Sequence, residues 1–146
     1  MYFVDREKIE QTLVYMEKVE GHISQLNDLT DLTQKLALER MAYIIIESVI
    51  DVGNSMIDGF IMRDPGGYED IIDILEDEKV VKQEEARNLK AIIGLRKQLV
   101  QNYAEVNHEQ LKELLLQHKH SLTKFPVEVR RYLAEELGPV SAFLPE

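Results

Sequence analysis

Helix breakers are confined to a few short zones of this chain, and that spacing decides its fold class. Gly53, Gly59, Pro65, Gly66 and Gly67 fall in one zone, Gly94 stands alone, and Pro126, Gly138, Pro139 and Pro145 lie towards the end. Between them, apolar residues recur at steps of three and four, the period of an amphipathic helix. Asp5 is a good N-cap for a first helix carrying Ile9, Leu13, Met16, Val19, Ile23 and Leu26, loosened at Gly21. Asn27, Asp28, Thr30 and Asp31 supply turn and capping side chains. Leu36, Met41, Ile44, Ile45, Val49, Val52 and Met56 then continue a long second helix towards residue 60. Asp64-Pro65-Gly66-Gly67 is a turn. A short third helix runs from Tyr68 to Glu78, a fourth from about Gln83 to Tyr103, and a fifth from near His108 to Lys124. Pro126 suits the first turn of a sixth, which Gly138-Pro139 would end. Period-two alternation is nowhere sustained. The expected architecture is an all-α antiparallel bundle of about five to six helices, in one domain spanning residues 1–146.

Composition narrows the chemistry. With no cysteine, disulfides, thiolate metal sites and cysteine nucleophiles are excluded. The longest apolar run, Met41 to Ile46, is six residues, against about 20 for a membrane span. No membrane association and a cytoplasmic location are therefore expected. Acidic residues number 27 against 17 Lys and Arg, giving a net charge of −10. Such a field repels phosphate backbones but leaves room for a small local basic site.

The histidines are His22, His108, His118 and His120. None forms a ligand pair at helical spacing: His118 and His120 point about 200° apart on a helix. No metal site and no cofactor is expected. On the second helix, Arg40 is followed by Glu47, Asp51, Asn54 and Asp58. The last four share an arc of about 60°. They read either as a solvated stripe or as a polar seam that orients a cation. Arg96 is the sharper feature, because it falls within the apolar arc of Leu89, Ile92, Ile93 and Val100. A guanidinium stays charged, so an inward-facing Arg96 needs a carboxylate or a ligand phosphate. Glu47 and Asp51 are the candidate partners, and a snorkelling arginine at a helix edge is the alternative. Tyr103, seven residues on, would lie two turns along the same face.

The stretch Gly94-Leu95-Arg96-Lys97-Gln98-Leu99-Val100-Gln101-Asn102-Tyr103 resembles the signature of HepT-like proteins of the HEPN superfamily. That signature typically reads Gly-Phe-Arg-Asn-x-Leu-Val-His-x-Tyr. The order of the long helix with Glu47, Asp51 and Asn54, the Pro-Gly turn and the helix leading into Val80–Val81 is similar as well, most of all to the YutE-like branch. The resemblance covers most of residues 5–125. It implies an all-helical homodimer related to metal-independent ribonuclease toxins, with RNA as substrate and a nucleotidyltransferase antitoxin as partner. Arg96 would bind phosphate or stabilise charge at phosphorus, supported by Lys97 and Asn102, and Tyr103 would accept a nucleotidyl group.

The departure from the signature is as informative. The histidine slot holds Gln101, and no Arg in the chain is followed by His after four to six residues. A carboxamide can orient RNA by hydrogen bonding but cannot shuttle protons near neutral pH, as imidazole does. The leading expectation is a HepT-like dimer that binds RNA, nucleotide phosphate or a nucleotidyltransferase around a degenerate motif. An active metal-independent endoribonuclease that uses Arg96 and another histidine, with His108 nearest in sequence, is the alternative. A third reading makes Glu47, Asp51 and Asp58, with Glu76 or Asp77, a magnesium site for nucleotide pyrophosphate hydrolysis.

Overall fold

The computed structural model describes residues 3–137. Its helices are α1 (Arg6–Glu20), α2 (Leu32–Gly59), α3 (Tyr68–Asp77), α4 (Gln83–Ile93), α5 (Arg96–Val100), α6 (His108–Gln117) and α7 (Lys119–Leu137), with single 3₁₀ turns at Ile23–Gln25 and Tyr103–Glu105. Six of the seven helices have ten residues or more, and the described residues contain no strand. The expected all-α bundle is the fold. The proposed stop at Gly138-Pro139 lies outside the described residues.

Capping follows the side chains available. The Asp5 carboxylate accepts from the Lys8 N–H at 3.0 Å, and that of Asp31 accepts from Gln34 N–H at 3.0 Å. Two helix ends carry no glycine signal. Ile61 (φ 56°) and Lys79 (φ 63°) adopt the left-handed conformation after α2 and α3. The next N–H groups, of Met62 and Val80, reach back to Ile57 and Leu75 carbonyls at 2.9 and 2.8 Å, closing Schellman motifs.

The 28-residue α2 is the central rod and packs against α1, α3, α5 and α6. Leu38, Ala42, Ile45, Ile46, Val49, Val52, Met56 and Ile57 are buried along it. Gly53 permits a close crossing, since a Cβ there would stand 2.5 Å from Ile71 Cγ2 of α3. At the α1–α7 contact, Arg130 donates to both Glu10 and Glu17 at 2.8–2.9 Å. These bonds hold the Arg130 guanidinium well above its ordinary pKa, the bond to Glu17 being the largest cause.

Two boundaries differ from expectation. The fourth helix does not run unbroken to Tyr103. It tightens at Leu95, whose N–H reaches the Ile92 carbonyl three residues back, and resumes as the short α5. The fifth and sixth helices divide at His118 rather than at Pro126, so Pro126 sits inside α7, buried. Proline is tolerated there at the cost of one backbone hydrogen bond. Burial of its flanking residues Phe125, Val129 and Leu133 offsets that loss.

Candidate functional site

The site forms where α5 is drawn onto α2. Arg96, the first residue of α5, donates through Nε to Glu47 Oε1 at 2.7 Å. Each side chain keeps 24% of its surface exposed, so the pair is half-buried rather than enclosed. The Arg96 guanidinium also lies over the Tyr68 ring, 4.5 Å from its centroid, a cation–π contact with the first residue of α3. The hydrogen bond that Arg96 donates to Glu47 is the main cause that raises the Arg96 pKa further, and Tyr68 and Tyr43 act in the same direction. Among the described residues, the two terminal guanidinium nitrogens have no hydrogen-bond partner. Arg96 is thus oriented through one edge and open at the other.

The remaining predicted residues separate into those drawn together and those left apart. Asp51 does not meet Arg96; it lies exposed one turn beyond Glu47, where burial first and then the Glu47 charge push its carboxyl up, against a lowering effect of Lys8. Asn54 is half-buried, and Asp58 is exposed. Beyond Glu47 the polar arc of α2 is therefore a solvated stripe. Lys97, Gln101 and Asn102 are exposed. Tyr103 begins a 3₁₀ turn instead of continuing a helical face, and its side chain is 69% exposed. The change follows from the helix break after Val100.

Contacts invisible to spacing rules hold this segment down. Gln98 Oε1 accepts from Asn107 N–H at 2.6 Å, and the Asn107 side chain in turn caps α6 by accepting from Gln110 N–H at 3.1 Å. His108 Nε2 meets Glu39 Oε2 at 2.6 Å, with 15% and 20% of the two side chains exposed. The span from Arg96 to His108 is consequently clasped at both ends by carboxylates of α2, with Gln101, Asn102 and Tyr103 displayed between. Tyr68 had no local signal, because its role depends on a contact between distant helices. The turn before it is locked by Asp70, which accepts from both terminal nitrogens of Arg63 at 2.8 and 2.9 Å and from Gly66 N–H at 2.8 Å. The Arg63 bond is the largest of the causes that lower the Asp70 carboxyl to about 2.

A groove of about 460 Å³ between α1 and α2, lined by Tyr15, Arg40, Tyr43, Glu47 and Asp51 among others, adjoins the Arg96 pair through Glu47. A cavity of about 530 Å³ lies at the opposite end of the α3–α4 pair, beside Lys79, Lys82 and Arg131. There Arg131 is already committed to Glu128, Glu135 and the Lys79 and Val80 carbonyls. Among the described residues, no three His, Asp or Glu side chains group closely enough to hold a metal ion. Glu47, the first ligand of the magnesium alternative, is engaged by Arg96.

The structure is an all-helical bundle that offers an oriented arginine at the start of a short helix beside a long central one. The chain belongs to the family described as Ribonuclease HepT-like, whose profile matches residues 9–129. It is 50% identical over 143 residues to the Bacillus subtilis (strain 168) protein named "Putative RNase YutE", covering 98% of this chain and 99% of that one. The solved structure of Bacillus subtilis YutE, described as a cytosolic protein of unknown function, superposes with a TM-score of 0.94 over 98% of this chain and 100% of that one, at 50% identity. A tri-AMPylated Shewanella oneidensis HEPN toxin in complex with MNT antitoxin superposes with a TM-score of 0.76, covering 84% of this chain and 96% of that one. At 20% identity that likeness is one of fold. No described helix is long and apolar enough to cross a membrane.

Proposed function

We propose that this protein is a HepT-like homodimer that binds RNA phosphate through Arg96 and whose ribonuclease motif is degenerate at Gln101. The observation that carries the reading is the one-edged engagement of Arg96: Glu47 takes Nε, and both terminal nitrogens are left for a phosphate. Cleavage by this chemistry forms a bond from the 2′-oxygen to phosphorus and breaks the bond from phosphorus to the 5′-oxygen. The 2′ proton must leave, and the departing oxygen must gain one. Arg96 would stabilise the charge that builds at phosphorus. Gln101, exposed in the histidine slot, can orient an RNA group but moves no proton, which removes about 10²–10⁴-fold in rate. Lys97 and Asn102, exposed beside it, supply further donors.

Tyr103 is the proposed acceptor for a nucleotidyltransferase antitoxin. Its hydroxyl would attack the α-phosphorus of a nucleoside triphosphate, forming the O–P bond as pyrophosphate leaves. An exposed ring at the tip of the motif segment suits that encounter. The AMPylated state of the Shewanella oneidensis HEPN toxin gives the precedent.

RNA cleavage and binding in EDTA, with wild type, Gln101→His and Arg96→Ala side by side, test the reading. Wild type should bind and cleave slowly, Gln101→His should cleave at least about tenfold faster, and Arg96→Ala should lose binding. One observation favours an active ribonuclease: Glu39 holds the His108 imidazole as an orienting carboxylate holds a base. Equal cleavage by wild type and Gln101→His, abolished by His108→Ala, would establish that alternative.

A further inference from the structure

We infer that the groove between α1 and α2 is a track for single-stranded RNA that continues from the Arg96 phosphate site, with Arg40, Tyr43 and Tyr15 as its binding residues. The inference rests on the reading of Arg96 given above. Three observations converge on it.

First, the track is continuous with that site. Glu47 both anchors Arg96 and lines the groove of about 460 Å³, and a second hollow of about 340 Å³ extends it, sharing Tyr15, Arg40 and Ile44 and adding Lys18 and His22. Second, Arg40 is an uncommitted cation. Arg63, Arg96, Arg130 and Arg131 are each answered by a carboxylate. Arg40 is exposed, and its guanidinium lies over the Tyr43 ring, 5.3 Å from the centroid. Third, aromatic surface interleaves with the charge. Tyr15 is 53% exposed on the facing helix, and Tyr43 lies close enough to Arg96 to influence its charge.

Aromatic rings and an arginine plane along a groove are what an unstacked base and its backbone recognise. The two hollows are lined by Arg40 and Lys18 against Glu47 and Asp51, a balanced lining on a chain whose net charge is −10, and Arg96 stands beside it as the partner of Glu47. Arg40 and Glu47 are seven residues apart, about 10 Å along the helix axis. One phosphate cannot bridge both arginines, so the track selects an oligonucleotide over a mononucleotide. A duplex would present its bases to neither ring.

Fluorescence anisotropy with labelled oligouridylates of two, four and eight nucleotides, in EDTA, tests the inference on the intact chain. Affinity should rise from the dimer to the longer strands. Arg40→Ala should remove that gain, weakening the octamer roughly tenfold while leaving the dinucleotide unchanged. Tyr15→Ala should act in the same direction, and Arg40→Lys should retain part of the affinity. Circular dichroism confirms folding of these surface variants. If Arg96→Ala weakens every length but Arg40→Ala and Tyr15→Ala change none, the track is wrong and the Arg96 reading stands. Absence of any RNA binding by wild type overturns both. If light scattering shows that Arg40→Ala converts a dimer to a monomer, the groove is an interface between copies, and the track is overturned.

Discussion

His108 Nε2 and Glu39 Oε2 lie 2.6 Å apart, and eight residues further along α2 Glu47 grips Arg96 at 2.7 Å. One helix therefore fixes both ends of the motif segment, and the exposed residues between inherit their placement from that double clasp. Removing the distal grip by Glu39→Ala leaves His108 largely buried without its partner. A loss of about 1–2 kcal/mol in urea melts is expected. Amide exchange should rise across residues 98–107, where Gln98 and Asn107 support each other, while α3 amides keep their protection.

The proximal grip is a different kind of bond. Because Arg96 and Glu47 are each 24% exposed, water screens the pair, and Arg96→Ala should cost only about 1 kcal/mol of stability. RNA affinity should fall far more, since the lost guanidinium is the phosphate ligand. A double-mutant cycle with Glu47→Ala should yield a coupling of about 0.5 kcal/mol or more. A coupling of zero would show that Glu47 does not orient Arg96.

Legibility from the sequence followed the range of the interaction. Period and punctuation were enough for α1, α2 and α3, because caps such as Asp5 and Asp31 act within four residues. The break at Leu95 and the left-handed turns at Ile61 and Lys79 were not legible, since no residue type demands them there and tertiary packing selects them. In the site, an arginine among apolar neighbours announced a need for a carboxylate. Glu47 supplies it, while Asp51, one turn further along α2, stays exposed; spacing alone did not choose between the two. Tyr68 and the Glu39–His108 pair stayed hidden, being contacts across 28 and 69 positions of chain, respectively.

The Arg63–Asp70 bond gives a pH signature. Asp70 titrates at about 2 in the folded chain against 3.8 ordinarily, so the folded state holds its proton less tightly than the unfolded one. The stabilisation is complete above the unfolded value and is lost as pH falls from near 4 towards 2. Urea midpoints of wild type and Asp70→Asn should differ at pH 5, draw together as pH falls through about 2 and meet by about pH 1. A gap that stays undiminished between pH 5 and about pH 1 would assign the effect to loop packing instead of charge. Because this loop delivers Tyr68, Asp70→Asn should also weaken RNA binding at neutral pH.

Gly53 offers the sharpest test of how the core positions the site. Alanine in a helix interior is ordinarily favoured over glycine by about 1 kcal/mol. At this position its Cβ would stand 2.5 Å from Ile71 Cγ2, and a β-branched neighbour has little rotameric freedom to retreat. Overpacking of this kind costs about 1–3 kcal/mol, so Gly53→Ala should be net destabilising by about 1 kcal/mol. The strain is relieved by moving α3 off α2, and α3 begins with the ring that faces Arg96. RNA affinity should consequently fall although no residue of the site has changed. Gly67→Ala is the matched control: its backbone is extended and an added Cβ meets nothing within 4 Å. That variant should be neutral or slightly stabilised in urea melts and retain full affinity. Equal behaviour of the two variants would refute the coupling between the α2–α3 crossing and the arginine.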